Sequence, residues 1–484
     1  MKKTLSLLLV LFLAAYISCN KNEEYNDSYN NSRLKAEELY IKSLKISATA
    51  ERITVMKEIV KISPESEYGL FAEGFINAAD EKQRVSLRCF TKAVDKKNDF
   101  AEAYLRMGEL KVKLGNDEGA VTDFSGAIKY GYKDYKTYMS RGEAFNRLGR
   151  YKEAISDYSE AIKLKSGPID AYSSRGLARI NNGEYVAAVS DFSMLIKLRP
   201  LDADAFNNRG YARYRSGRYN EALKDCGRAI EINPSFHDAY CNRGDIKSDS
   251  GDYTGAVDDY NKAITLKRDN AEVYNSRGYA KYRMGSYNEA MADYSIAIDK
   301  NEKFAKAYYN RANARGDLED YKGALKDYRM VTRIEPNDLF AYLGMGYIKE
   351  KAKDYQGAIS DFSKAIALGP GYDKGYFARG YVKDKTGDYA GAIEDYSRLI
   401  KISPLNAEAY RNRGVSKEKN SDLKGALSDY SRAIELKSDN AATYYDRGEL
   451  KLQMGLNEDA CSDFKKAGDL GKRIEPGLLE KCNK

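Results

Sequence analysis

One feature limits this chain more than any other: from Ala101 to Ile474 its pattern returns every 34 residues, eleven times, with no insertion. Position 8 of the unit is Gly in ten copies, with Ala312 the exception, and position 20 is Ala in all eleven. Position 4 is Tyr except for Phe206, and position 24 is aromatic except for Cys226. Pro200, Pro234, Pro336, Pro370 and Pro404 share position 32. A unit this short cannot bury its own apolar face, so copies must stack and share a core. Gly and Ala suit a close crossing of two helices, with aromatic rings filling the space beside it. Gly at position 15, as in Gly149, Gly217 and Gly285, suits the left-handed residue that ends a first helix. Tyr at position 17, in eight consecutive copies from Tyr151 to Tyr389, then opens the second. Asp134, Asp202, Asn270, Asp338 and Asn406 stand where N-caps are needed. The class expected is all-α.

This spacing of aromatic, Gly, Ala, aromatic and Pro resembles the tetratricopeptide repeat. Position 4 carries Tyr rather than Trp, and position 7 is mostly Arg rather than Leu. The resemblance is strong over 101–474 and weaker over 67–100, through Gly74, Phe90 and Ala93. Residues 33–66 keep little beyond Pro64, so 33–100 reads as two degenerate repeats. The resemblance implies a right-handed α-solenoid of stacked antiparallel helix pairs. It also implies that first helices line a concave face and present positions 2, 5, 9, 12 and 13 to a partner.

At those positions the copies differ. Position 9 carries Tyr211, Tyr279, Tyr347 and Tyr381, and position 12 carries Tyr214 and Tyr282. Position 13 carries Arg147, Arg215, Arg283, Lys351 and Lys419 in alternate copies, with Asn181, Asp249 and Asp317 between. Boundary residues alternate likewise: Asp202, Phe236, Asn270, Phe304, Asp338, Tyr372, Asn406. The array therefore varies in pairs of repeats, and basic-plus-aromatic patches should recur in every second copy. Asn207, Asn275, Tyr309 and Asn313 complete the candidate binding set. Tyr and Arg anchor interfaces well, so an extended, partly acidic polypeptide is the expected ligand. The alternative is that these tyrosines pack on neighbouring first helices and the charges are solvated. Within the family, one binding mode grips a terminal carboxylate with Lys and Asn at positions 5 and 9. Here position 5 never carries Lys, Asn313 is the sole Asn at position 9, and Gly344 takes the next position 6, so that clamp is absent.

Position 23 is Asp in every copy and position 7 is Arg in nine, as in Arg209/Asp225, Arg243/Asp259 and Arg277/Asp293. Repetition in every unit argues for a structural ladder of ion pairs, not a row of acid–base catalysts. Met107 and Met345 interrupt it, and those joints should be the least polar. His237 is the only histidine, which leaves no zinc set and no Ser-His or Cys-His pair. No phosphate-cradling glycine loop occurs, so neither a cofactor, a metal nor enzyme activity is expected. The 80 basic and 72 acidic residues are mixed along the chain, and nothing marks a nucleic-acid surface.

The first residues differ in character. Lys2 and Lys3 precede an apolar run from Leu5 to Ile17, then Ser18-Cys19. The run is short for a membrane span, which needs about 20 residues, and fits an export signal. Ser18-Cys19 resembles the cleavage box of bacterial lipoproteins, although Tyr16 stands where Leu is usual. That resemblance implies a signal over 1–18, acylation of Cys19, a polar tether over 19–32 and a lipid-anchored place in the cell envelope, facing the periplasm or the surface. An ordinary secretory signal and an uncleaved anchor holding a cytosol-facing adaptor are the alternatives. Cys461 with Cys482 is the expected disulfide, and residues 475–484 are expected to cap the array. The function expected is a non-catalytic scaffold for a protein or peptide, with a glycan- or peptidoglycan-binding module as the rival.

Overall fold

The computed structural model describes residues 2–475, 477 and 478; within the first helix it describes side chains at 18, 21 and from 25 onward. Among the described residues there are 26 helices and no strand. A long helix, Lys2–Ser43, leads into Thr49–Ile62 and then Glu67–Ala79 with Gln83–Lys96. Eleven helix pairs follow in the 34-residue register. The fold is the all-α solenoid of stacked antiparallel pairs that the period implies. Two compact units make up the chain, Met1–Asn242 and Arg243–Lys484, and each is a stack of this kind.

Helix ends follow the caps. Asp134, Asp202, Asn270, Asp338 and Asn406 each accept a backbone N–H in the first turn of a first helix. Position 16 caps the second helix in several copies through Asp252, Asp320, Asp354, Asp388 and Asp422, a role not read from the sequence. Between the two helices, position 15 is left-handed throughout, at φ +72° in Gly149 and +83° in Gly285. Glu319, Lys353 and Ser421 adopt the same conformation without being glycine.

The helix crossing explains the invariant small residues. A Cβ on Gly142 would meet Tyr158, and one on Gly278 would meet Tyr294, each at 2.8 Å. The aromatic of position 24 therefore presses against the glycine of position 8, and the position 20 alanines are fully buried. The exception has its own solution. Where Ala312 replaces the glycine, Tyr328 presses instead on Gly344 of the next repeat, where a Cβ could not fit.

In the first unit, Tyr40, Tyr68, Phe71 and Phe100 form an aromatic cluster with centroids 4.9 to 5.6 Å apart. Beside it, buried Glu102 is held by Arg52 at 2.8 Å and by the Tyr40 hydroxyl at 3.0 Å. The side chain of Cys19, Pro476 and residues 479–484, including Cys482, lie outside the described residues, so the lipidation and capping assignments rest on sequence. Cys461 is in a disulfide, and its expected partner is among those residues. No helix among the described residues is long and apolar enough to cross a membrane.

Candidate functional site

The Arg–Asp pairs are rungs within each hairpin. Arg209 donates from Nε and Nη2 to Asp225 at 2.9 and 2.7 Å, and Arg243 meets Asp259 the same way at 2.9 and 2.6 Å. Arg277 repeats the fork on Asp293 at 2.9 and 2.5 Å. In copies whose predecessor carries Ser or Asn at position 25, the remaining Nη1 reaches that residue, as from Arg277 to Asn261 at 2.6 Å and from Arg311 to Ser295 at 2.9 Å. One guanidinium thus pins its own hairpin and its neighbour. A second cation, at position 11, escaped the sequence reading. Arg213 lies 2.6 Å from Asp225, Lys247 2.8 Å from Asp259 and Lys281 3.0 Å from Asp293. These buried carboxylates are neutralised on both sides, which leaves nothing for proton transfer.

The joints at Met107 and Met345 were expected to be the least polar; they lack the forked Arg but are not apolar. Lys111 stands 2.6 Å from Asp123 and Lys349 2.7 Å from Asp361, so the position 11 cation keeps the rung. The ammonium lies off the line of a good hydrogen bond in both, leaving Oδ2 of each aspartate poorly satisfied. Burial pushes both carboxyls above their ordinary value, and the lysine offsets only part of it. Asp157, which faces Arg141 alone because position 11 is Phe145, is raised for the same reason.

The candidate binding residues divide into two groups. In the first unit, Asn207 is buried and accepts from the Asn242 amide at 2.9 Å, so it is a joint between first helices. Arg215 donates to the Tyr211 hydroxyl at 2.7 Å and sits 4.8 Å over the Tyr185 ring, while Tyr214 packs on Tyr211 and Tyr219. The second unit repeats this 68 residues later. Asn275 accepts from Asn310 at 2.9 Å, and Arg283 donates to Tyr279 at 3.0 Å and covers Tyr253 at 4.9 Å. Tyr282 donates to Asp317 at 2.6 Å. At the copies beginning with Ala203 and Ala271, then, basic and aromatic side chains are already engaged with each other.

The rest line two cavities, joined there by Tyr282; of these, Asn313 accepts from the Tyr328 hydroxyl. A cavity of about 320 Å³ brings together Tyr282, Tyr309, Asn313, Tyr347 and Lys351, closed by Phe340, Leu343, Tyr372 and Lys374. Beside it a second cavity of about 600 Å³ is walled by Tyr347, Phe377, Tyr381, Val382 and Val415. Tyr347 borders both and is 43 % exposed; Tyr381 is 45 % exposed. Burial raises the phenols of Tyr309 and Tyr347, so they stay protonated donors at any physiological pH. Lys351 breaks the habit of position 13. Arg215, Arg283, Lys385 and Lys419 each rest on the position 17 tyrosine of the preceding repeat. Among the described residues the Lys351 side chain has no ion-pair, hydrogen-bond or ring partner; it is exposed and lines the cavity. Phe340 was missed by the sequence reading, yet it is the only aromatic at position 2 and could have been found there.

His237 pairs with Asp238 at 2.8 Å, and the Cys241 thiol lies 3.7 Å from the ring. Among the described residues no group of three metal-ligating side chains exists.

Comparison with known proteins agrees with this geometry. One family model, "TPR repeat", matches residues 142–183, 244–285, 385–421 and 419–455. Another, "Tetratricopeptide repeat", matches 203–236 and 305–338, in the register read above. No curated protein matches the sequence. Among solved structures, a tetratricopeptide repeat protein from Parabacteroides merdae is 22 % identical, with 52 % of this chain and 98 % of that one covered at a TM-score of 0.39. YrrB, a TPR protein described as having an unusual peptide-binding site, is 21 % identical over 39 % of this chain and 97 % of its own, at 0.35. The Cut9–Hcn1 structure is 14 % identical over 94 % and 96 %, at 0.37. Scores this low carry no argument about partners; the repeat models and the interlocked positions 7, 8, 20, 23 and 24 do carry the family. The chain is a tetratricopeptide repeat protein.

Proposed function

We propose that this protein is a lipid-anchored scaffold of the bacterial cell envelope that holds a segment of another protein against its first helices, without catalysis. The observation that carries the binding part is the pair of adjoining aromatic cavities that share Tyr347. Exposed Tyr347 and Tyr381 offer large, stiff, amphipathic surfaces of the kind that anchor interfaces. The carboxylates are spent on the ladder, which supports a non-catalytic role. The anchoring part is supported by Lys2-Lys3, the apolar run to Ile17 and Ser18-Cys19.

Two experiments test it. Labelled palmitate should enter the protein, and Cys19→Ala should abolish that labelling; labelling that survives the substitution removes the anchor. Pull-down from envelope extracts should recover a protein partner that Tyr347→Ala with Tyr381→Ala loses. Recovery indifferent to both changes removes the first-helix site, and retention on purified cell wall in place of any protein points to a glycan.

A further inference from the structure

The two cavities differ in a way that specifies an occupant. In the larger one the cations are taken: Lys385 is 2.6 Å from Glu350, Arg411 is 2.6 Å from Asp446, and Lys419 covers Tyr389. What it offers a ligand is the apolar wall of Phe377, Val382 and Val415. In the smaller one the balance is reversed. Asp317 is satisfied by the Tyr282 hydroxyl, whereas the exposed side chains of Lys351 and Lys374 have no partner among the described residues. Two unpaired ammonium groups, backed by low-dielectric aromatic rings, favour an anion there.

Tyr347 lines both cavities; the smaller opens mainly between Ala305–Asp317 and Leu339–Lys351, and the larger among Leu339–Lys351, Asp373–Thr386 and Ala407–Lys419, about one repeat further on. Packed helices stand about 8–10 Å apart, and an extended chain advances about 3.3 Å per residue. Side chains about three positions apart therefore reach both cavities at once. We infer that the occupant is an extended peptide segment carrying an Asp or Glu for Lys351 and, about three residues away, an apolar side chain for the Phe377–Val415 pocket. Its backbone crosses Tyr347. This inference rests on the peptide-binding reading above and narrows it to an acidic–apolar register.

The test is fluorescence anisotropy of the full chain with short labelled peptides on a Gly/Ser background. One carries Asp and Leu at the inferred spacing, one has them adjacent, one has Lys for Asp, and one has Ser for Leu. The first should bind most tightly. Lys351→Glu with Lys374→Glu should weaken it about tenfold and strengthen the Lys peptide, a swap that a folding defect cannot produce. Arg283→Glu, whose cation is seated on Tyr253, should leave it unchanged. Equal binding of the Asp, Ser and Lys peptides, with sensitivity to Tyr347→Ala, overturns the register and leaves the peptide-binding reading standing. Binding of N-acetylglucosamine oligomers at Tyr347 with no peptide bound overturns both.

Discussion

Buried aspartates dominate the chemistry of single residues here. Asp293 is nearly inaccessible and holds Arg277 and Lys281, so Asp293→Ala strands two cations at once. Removing one partner from such a buried set costs about 3 kcal/mol, to be read as a loss of thermal or denaturant stability. Asp361→Ala should cost less, because Asp361 holds only Lys349 and is more exposed. A second prediction concerns pH. The folded carboxyl of Asp361 lies above its ordinary value of 3.8, so the folded state binds the proton more tightly than the unfolded chain does. Its contribution to stability is therefore largest below 3.8, falls as pH rises through the raised value, and is flat above. Asp361→Asn removes that step. As pH rises from below 3.8 through the raised value, the stability of the wild type relative to this variant should decline and then level off. The Arg–Asp rungs were legible because nine of the eleven copies repeat them. The position 11 cation recurs in ten of the eleven copies but was not read, because a Lys or Arg near the end of a first helix serves equally well as a solvated dipole partner.

Turns and crossings set the energetics of whole elements. Glu319 and Lys353 sit at φ +61° and +64°, where a Cβ is strained and most other copies use glycine. Glu319→Gly or Lys353→Gly should therefore stabilise the protein by about 1 kcal/mol, measured by the same denaturation. At the crossing the sign reverses. Gly278→Val places branched carbon against Tyr294 and should destabilise by about 2 kcal/mol. Helix ends were readable from Asp134, Asp202, Asn270, Asp338 and Asn406, since capping is a local matter of one side chain and one N–H. The pairing of Ala312 with Gly344 was not, because the two lie in different repeats and meet only through Tyr328.

For the molecule as a stack, stability is the sum of hairpin and nearest-neighbour terms. Damage should stay local. In Gly278→Val, amide exchange should quicken in the Ala271 and Ala305 repeats while the Ala407 and Ala441 repeats keep their protection. The 34-residue period alone dictated this architecture. The 68-residue alternation was also readable, but its meaning changed: Arg215 with Tyr211 and Arg283 with Tyr279 face each other, and open space lies further along, around Tyr347 and Lys351. Sequence spacing says which side chains share a face; it does not say which of them satisfy one another. The most direct test of the account is photo-crosslinking in native membranes, with a photoreactive residue at Tyr347 and, separately, at exposed Lys322 on a second helix. The account predicts a discrete protein adduct from Tyr347 that Lys351→Glu diminishes, and none from Lys322. Adducts from Lys322 alone, or an adduct at Tyr347 with no protein in it, would contradict it.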